Sequence, residues 1–331
     1  MKINNLPIFF LIFFLSCNFA FADDFNDWLK SFKVEALKKG ISEKTFNTAM
    51  NNVKFLPKVI KYDRYQPEFY EDTKTYISKR TSKEKVSQGL IIYKKNNLLI
   101  NKVESEFKVD KELLLSLMGI ETNFGKFLGK MDILSSLATL SFDKRRSEFF
   151  TKELIKILQL IDRGVIDYKV LYGSWAGAFG NFQFMPSTIM NYAIDYNNDE
   201  KIDLKSIDDS FASAANYINK LGWKVDEPCY LKIELLENTP KSLLNTSAKK
   251  IKNKNTLKKF KKYIKDSDKI SFNDKLKVAI VTPDRDIVED SKLLEPAFLV
   301  FNNYELILKW NRSLRFGLAV CNLRNKFKNE L

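Results

Sequence analysis

Histidine does not occur once in the 331 residues. Its absence removes Ser-His-Asp and Cys-His nucleophilic catalysis, zinc-hydroxide chemistry and any imidazole base. Proton transfer in such a chain falls to carboxylates. Cysteine is nearly as scarce, at three. Cys17 belongs to an amino-terminal apolar run. Cys229 and Cys321 make no zinc cage without histidine. They leave two alternatives open: one disulfide in an oxidising compartment, or two free thiols, one of them packed in a carboxy-terminal helix. Acids number 41 against 55 bases, a formal charge of +14. With 45% hydrophobic residues the chain is neither disordered nor polytopic in a membrane. Its length suits one large domain or two to three small ones.

Residues 1–22 read as a secretory signal. Lys2 precedes the apolar run "LPIFFLIFFLSCNFAF", and "AFA" at 20–22 is a small-x-small cleavage site. Its removal takes one lysine and no acid, leaving +13. "FLSC" at 14–17 suggests a lipoprotein signal with a lipidated Cys17 as the alternative, but Phe14 and Leu15 fit that pattern poorly. No later stretch is long and apolar enough to span a bilayer.

Residues 23–107 carry helical periodicity. "DFNDWLKSFKVEALKKG" ends in Gly40, Ser42 caps the next run, and "SKEKVSQGLIIYKKNNLLINKVESEF" is a longer amphipathic stretch. Asp110 is placed to cap "KELLLSLMGIETNFG", with Glu112 in its first turn. Short helices and loops continue to Trp223, interrupted by "GSWAGAFGNFQFMPS", where glycines alternate with aromatics. Beyond it "CYLKIELL", "KLKVAIVT" and "PAFLVF" have strand composition. The lysine-dense "AKKIKNKNTLKKFKKYIK" (248–265) lies between the first two, and a helix closes the chain. The fold class expected is mainly α, α+β. The lysine stretch reads as a solvated face; its functional alternative is attraction to an anionic envelope polymer or nucleic acid, and secretion argues against the latter.

Glu121 is the acid that stands out. On a helix over 110–123 it shares one face with Leu114, Leu117 and Met118. Desolvation there favours the neutral carboxyl, the form a glycosidic oxygen needs as proton donor. Gly125 can end the helix and leave the acid near an opening. The competing reading is a glutamate at a helix end turned to solvent.

"GIETNFGKFLGKMDILSSLATLSFDKRRSEFF", "GSWAGAFGNFQFMPST", "NYAIDYNNDEKIDL" and "DSFASAANYINKLGW" follow one another in this order. Together with "DRYQPEF" at 63–69 and "LILKWNRSLRFGLAV" near the end they resemble the B-type lytic murein transglycosylase family over nearly the whole mature chain. The resemblance implies a lysozyme-like catalytic core that cleaves the N-acetylmuramic acid to N-acetylglucosamine bond of peptidoglycan without water. Glu121 matches the family's single catalytic glutamate. It would protonate the leaving oxygen and then, as carboxylate, deprotonate the muramic C6 hydroxyl, which attacks C1 and closes a 1,6-anhydro ring. An internal nucleophile removes the need for the second carboxylate of ordinary glycosidases.

The resemblance divides the chain into the signal (1–22), an N-terminal helical region (23–107) joined by the C-terminal helix (310–331), the lysozyme-like core (108–224), and a small β-rich region with the lysine insertion (225–309). It makes Ser174, Gln183, Tyr76, Arg145, Arg146 and Asn311 substrate-binding residues, and Phe182, by its residue type, is a candidate flat face for a sugar ring. Where the family has Tyr-Asn this chain has Trp310-Asn311, which keeps stacking but loses the phenolic hydroxyl. Gly177 and Gly180 would bring backbone close to sugar, and Trp175 would offer a flat face. Phe184 reads as core. Residues 195–206 resemble a calcium loop, with Asp195, Asn197 and Asp199 at positions one, three and five, the Lys201 carbonyl at seven and Asp203 at nine. Glu200 stands where glycine eases the turn, and Ser206 where a bidentate acid closes the shell. Any calcium would be structural, and no cofactor is needed for the chemistry. The expected protein is a periplasmic monomer acting on glycan strands, with no nucleic-acid partner. Rival readings are a hydrolytic muramidase on the same scaffold and a non-catalytic wall-binding protein.

Overall fold

The computed structural model describes residues 24–65, 70–284 and 294–331. The signal segment with Cys17 lies outside these residues, as does the end of "DRYQPEF". From the amino end the chain forms α1 (24–38), α2 (Glu43–Met50), α3 (Pro57–Arg64), α4 (Thr73–Arg80), α5 (Lys83–Phe107) and α6 (Lys111–Thr122). There follow β1 (Met131–Asp132), α7 (Ile133–Phe142), α8 (Ser147–Asp162), β2 (Tyr172–Gly173), α9 (Pro186–Tyr192) and α10 (Ile207–Lys220). The last third holds β3 (Tyr230–Ile233), β4 (Leu244–Asn245), β5 (Asn255–Thr256), α11 (Leu257–Lys261), β6 (Lys277–Val281), β7 (Ala297–Val300), α12 (Asn302–Trp310) and α13 (Leu314–Lys328). The mainly α, α+β class expected from the sequence is the one observed.

Local chemistry explains several helix starts. Ser42, Asp72, Ser82, Ser206 and Ser313 each accept an amide of the first turn, at α2, α4, α5, α10 and α13. Asp110 does not. Its side chain makes no cap at α6; it is buried and taken by Arg324 (2.7 Å) and by the Trp223 indole N–H (2.9 Å). A buried cation outcompetes an amide for a carboxylate with little water around it.

The described residues form two compact units. The first comprises 24–65, 128–179 and 183–191; the second comprises 70–127, 180–182, 192–284 and 294–331. These units cut across the three segments expected after the signal. The reason is α13: it packs on α4, α5 and α6 and so gathers the middle helices into the unit that holds the chain's end. In the first unit α7 packs on α8, and the two-residue strands β1 and β2 pair antiparallel, with Met131 opposite Gly173.

The second unit contains the sheet. β3, β7 and β6 run antiparallel in that order, β4 joins β6 in parallel, and β5 pairs with β6 on a separate ladder. All three strand-like stretches seen in the sequence are strands. Leu257, Phe260, Ile280 and Leu299 fill the core beside the sheet. Cys229 and Cys321 are joined as a disulfide that ties the start of β3 to α13, which decides between the two alternatives left open by the sequence.

Candidate active site

Helix α6 is apolar on nearly every side. Leu113, Leu114, Leu115 and Leu117 are fully buried and Met118 nearly so. Each such side chain contributes about 1.5–3 kcal/mol of burial, so the helix is a fixed post rather than a surface element. Glu121 sits on its last turn and is only half-buried. The helix stops because Asn123, Phe124 and Gly125 all take left-handed backbone, with φ of 50°, 60° and 80°. The sequence placed the stop at Gly125; the turn begins two residues earlier. The amides of Asn123 and Phe124 return to the carbonyls of Gly119 and Met118. Phe124 folds back so closely that a Cβ on Gly119 would lie 2.7 Å from its ring.

A buried asparagine holds this corner. The Thr122 hydroxyl donates to the Asn181 carbonyl (2.8 Å) and accepts the Gly125 amide (3.0 Å). The Asn181 side-chain amide in turn donates to Lys205 and Ser206 carbonyls and to the Ser210 hydroxyl. Sequence reasoning passed over Asn181. Its signal was available as a polar residue inside the aromatic run. Lys85 of α5 adds a cation at the Gly119 carbonyl (2.7 Å), and burial, then Arg80, holds its ammonium pKa below the usual lysine range.

The other half of the corner comes from the far end of the sequence. α12 ends at Trp310, whose indole N–H donates to Glu121 Oε1 at 3.0 Å. Trp310 has no phenolic hydroxyl, and its indole N–H makes a hydrogen bond of its own. An indole N–H only donates, so Oε1 is the bare acceptor in either charge state, and the proton of the neutral acid resides on Oε2. Trp310 is itself braced. It stacks on Tyr217 (5.1 Å, 26°), which stacks on Tyr192 (4.3 Å, 24°), and the Tyr217 hydroxyl donates to the Lys309 carbonyl.

Several expected ligands of substrate are used by the protein. Phe182 is 2% exposed; it meets Phe211 and Trp310 edge-on and backs the tryptophan rather than offering a free face. Tyr76 is 4% exposed, with the Arg80 guanidinium 3.5 Å above its ring. Arg145 and Arg146 both ion-pair with Asp63, a buried acid of α3, because a buried carboxylate without cations is costly. Gly177 and Gly180 make room for protein, not sugar: a Cβ would strike Leu137 in the first case and Leu204 in the second, each at 2.5 Å. Phe184 is core, as expected.

Ser174 and Gln183 belong to the first unit. The Ser174 hydroxyl oxygen takes the amides of Ala176 and Ala178, closing the turn that follows β2. Gln183 is half-buried with φ of 50°, and its side-chain amide donates to the Leu128 carbonyl. Asn311 caps α12 through its backbone. In the same unit as Ser174, buried Glu153 is engaged by the amide and hydroxyl of Ser187 at the start of α9.

In the 195–206 loop the side chains of Asp195, Asn197 and Asp199 accept backbone amides of the turn itself. Ser206 caps α10. Asp209, fully buried, takes the amides of Tyr196 and Asp203, and desolvation pushes its carboxyl above the usual range. Among the described residues no three His, Cys, Asp or Glu side chains gather as a metal cage. The oxygens at positions one, three and five fit calcium in part, and the closing carboxylate is missing.

The family model described as Transglycosylase SLT domain matches residues 24–325. Membrane-bound lytic murein transglycosylase B of Escherichia coli (strain K12) is 36% identical over 149 residues, 45% of this chain. The match spans 41% of that relative's length. The structure of SltB3 from Pseudomonas aeruginosa in complex with NAG-anhNAM-pentapeptide superposes with a TM-score of 0.80 at 30% identity, covering 92% of this chain and 79% of that one. Soluble lytic transglycosylase SltB1 of the same organism gives a TM-score of 0.78 at 25% identity, over 92% of this chain and 99% of its own.

Proposed function

The chain belongs to the Transglycosylase SLT domain family, and from that premise we propose that it is a lytic transglycosylase of peptidoglycan. Its substrate is the bond between N-acetylmuramic acid and N-acetylglucosamine, and its product ends in 1,6-anhydromuramic acid. The observation that carries this reading is Glu121. It is a carboxyl on the last turn of a buried apolar helix, oriented by the Trp310 N–H. That SltB3 binds an anhydro-sugar pentapeptide supports the same substrate class here.

In the first step the Oε2 proton passes to the glycosidic oxygen, and the C1–O bond breaks. Glu121 is then a carboxylate, and the charge-assisted bond from Trp310 strengthens as it forms. In the second step the carboxylate takes the proton of the muramic C6 hydroxyl while that oxygen bonds to C1. The acid ends as it began, so one residue serves both steps. Water has no part, because the nucleophile is the sugar's own hydroxyl.

The reading places the protein in the periplasm, supported by the signal-like residues 1–22; among the described residues no helix is long and apolar enough to cross a membrane. Calcium at Asp195, Asn197, Asp199, Lys201 and Asp203 is carried as a weak structural site, on its partial oxygen set, and no catalytic step runs through it.

Digestion of purified sacculi with mass analysis tests the proposal. Anhydro ends, lighter by one water than hydrolytic ends, are expected; hydrolytic ends would make the chain a muramidase. Glu121→Gln should bind sacculi and release nothing. Equal release by that variant refutes the assigned acid.

A further inference from the structure

The lysine-dense stretch takes no part in the chemistry above, yet the fold packs it against α12, the helix that ends at Trp310. Residues 248–254 and the end of α12 enclose a groove of about 540 Å³ within the second unit. Ile251 and Leu308, both buried, form its floor. Lys249, Lys250, Lys254, Lys309 and Arg312 line it against a single acid, Glu305. Lys254 pairs with Glu305 at 2.6 Å. The other four cations have no ion pair among the described residues, so the groove carries a concentrated positive field. Lys309 and Arg312 flank Trp310-Asn311 in sequence, and Trp310 holds the Glu121 carboxyl. The cationic groove and the tryptophan that holds the acid therefore share the end of α12.

We propose that this groove is a subsite for the peptide stems attached to the glycan, recognising their free carboxylates. The inference rests on the peptidoglycan reading and deepens it, naming stem-bearing strands as the preferred substrate. Clustered cations in a concave site raise the local concentration of an anionic ligand, and an apolar floor accepts short aliphatic side chains. A groove of this size suits a short acidic peptide rather than a continuous polyphosphate, which would track an extended charged surface.

The test compares wild type with Lys249→Gln/Lys250→Gln and with Lys258→Gln/Lys259→Gln. The second pair loses the same charge from the same stretch, at exposed positions outside the groove lining. Substrates are glycan strands with intact stems and strands stripped of stems by an amidase. The groove variant should raise KM on stem-bearing strands about five- to tenfold at low salt, an effect that fades as salt screens exposed charge. Its kcat, and its KM on stripped strands, should equal wild type. The control pair should match wild type on both. An equal KM rise on both substrates, no rise, or the same rise in the control overturns the subsite.

A binding arm separates this from the functional reading. Glu121→Gln protein, with and without the groove substitutions, is titrated with stem-bearing and stripped oligosaccharides. If wild type yields no anhydro ends, the transglycosylase reading fails, while the affinity difference still decides the groove. A DNA duplex that loses more affinity than the stem-bearing glycan on substitution would assign the groove to polyphosphate and refute the proposal.

Discussion

Replacing Trp310 with phenylalanine deletes one N–H and leaves most of the surrounding packing in place. The ring at 310 still has Tyr217 to stack on and Phe182 behind it. What disappears is the 3.0 Å bond to Glu121 Oε1. A hydrogen bond to a charged acceptor contributes about 1.5–3 kcal/mol net. Glu121 and Trp310 are both half-buried, so water partly replaces the lost donor and the lower half of that range applies. At about 1.36 kcal/mol per decade, kcat should fall about 13-fold to 45-fold. The loss falls on kcat because the bond is strongest once the glutamate is charged, after the first proton transfer. Trp310→Tyr, which restores an O–H donor, should recover much of the rate. The assay is steady-state release of anhydro-ended fragments from sacculi, with thermal denaturation to show that each variant folds. A Trp310→Phe enzyme within twofold of wild-type kcat would refute the claim that this N–H positions the acid.

Removing the Cys229–Cys321 bridge as a double serine variant opens a loop of 92 residues and should cost up to about 4.6 kcal/mol on chain-entropy grounds, read as a fall in denaturation midpoint. Asp110→Ala strips the counter-charge from Arg324 and the acceptor from Trp223; a broken buried pair costs about 3–5 kcal/mol, so this variant should denature far earlier than an exposed Asp→Ala control. Millimolar calcium should raise Tm if the 195–206 loop holds the ion, by about 1.5 °C per kcal/mol in a chain of this size; Asp195→Asn should abolish the rise, and no calcium-dependent shift sinks that site. The carboxyls of Glu71 and Asp72 lie below their ordinary values, the first chiefly through the Lys79 hydrogen bond and the second through the Thr75 side chain and amide. Their folded values are depressed, so the stability they contribute is present above the ordinary carboxylate range and is lost as pH falls through the lowered values. Tm should drop on the acid side, and Glu71→Gln/Asp72→Asn should flatten that limb.

Much of the molecule was readable without coordinates, because the relevant signals are local. The missing imidazole directed attention to carboxylates. Apolar spacing marked α6 and placed Glu121 on it, though the carboxyl is only half-buried. Ser42 before a periodic run marked the start of α2, and β-branched composition marked β3, β6 and β7. Each of these rests on residues within a few positions of one another, where backbone geometry alone decides which side chains are neighbours.

Partnership across long separations was another matter. Trp310 reaches Glu121 over 189 residues, Arg324 reaches Asp110 over 214, and Arg145 reaches Asp63 over 82. The donors and acceptors are all visible in the chain, but a carboxylate can satisfy a helix amide, a cation or a sugar equally well on paper. Which one it meets depends on how the core closes: α13 inserts against α6 and claims Asp110, and α12 turns Trp310 toward Glu121. The same closure buried Tyr76 and Phe182, whose types alone fit either a sugar platform or a core. Composition and periodicity thus settle the elements and the kind of chemistry open to the chain. Only the packed structure settles which polar groups pair, because that outcome is a competition for desolvated partners brought together from distant parts of the sequence.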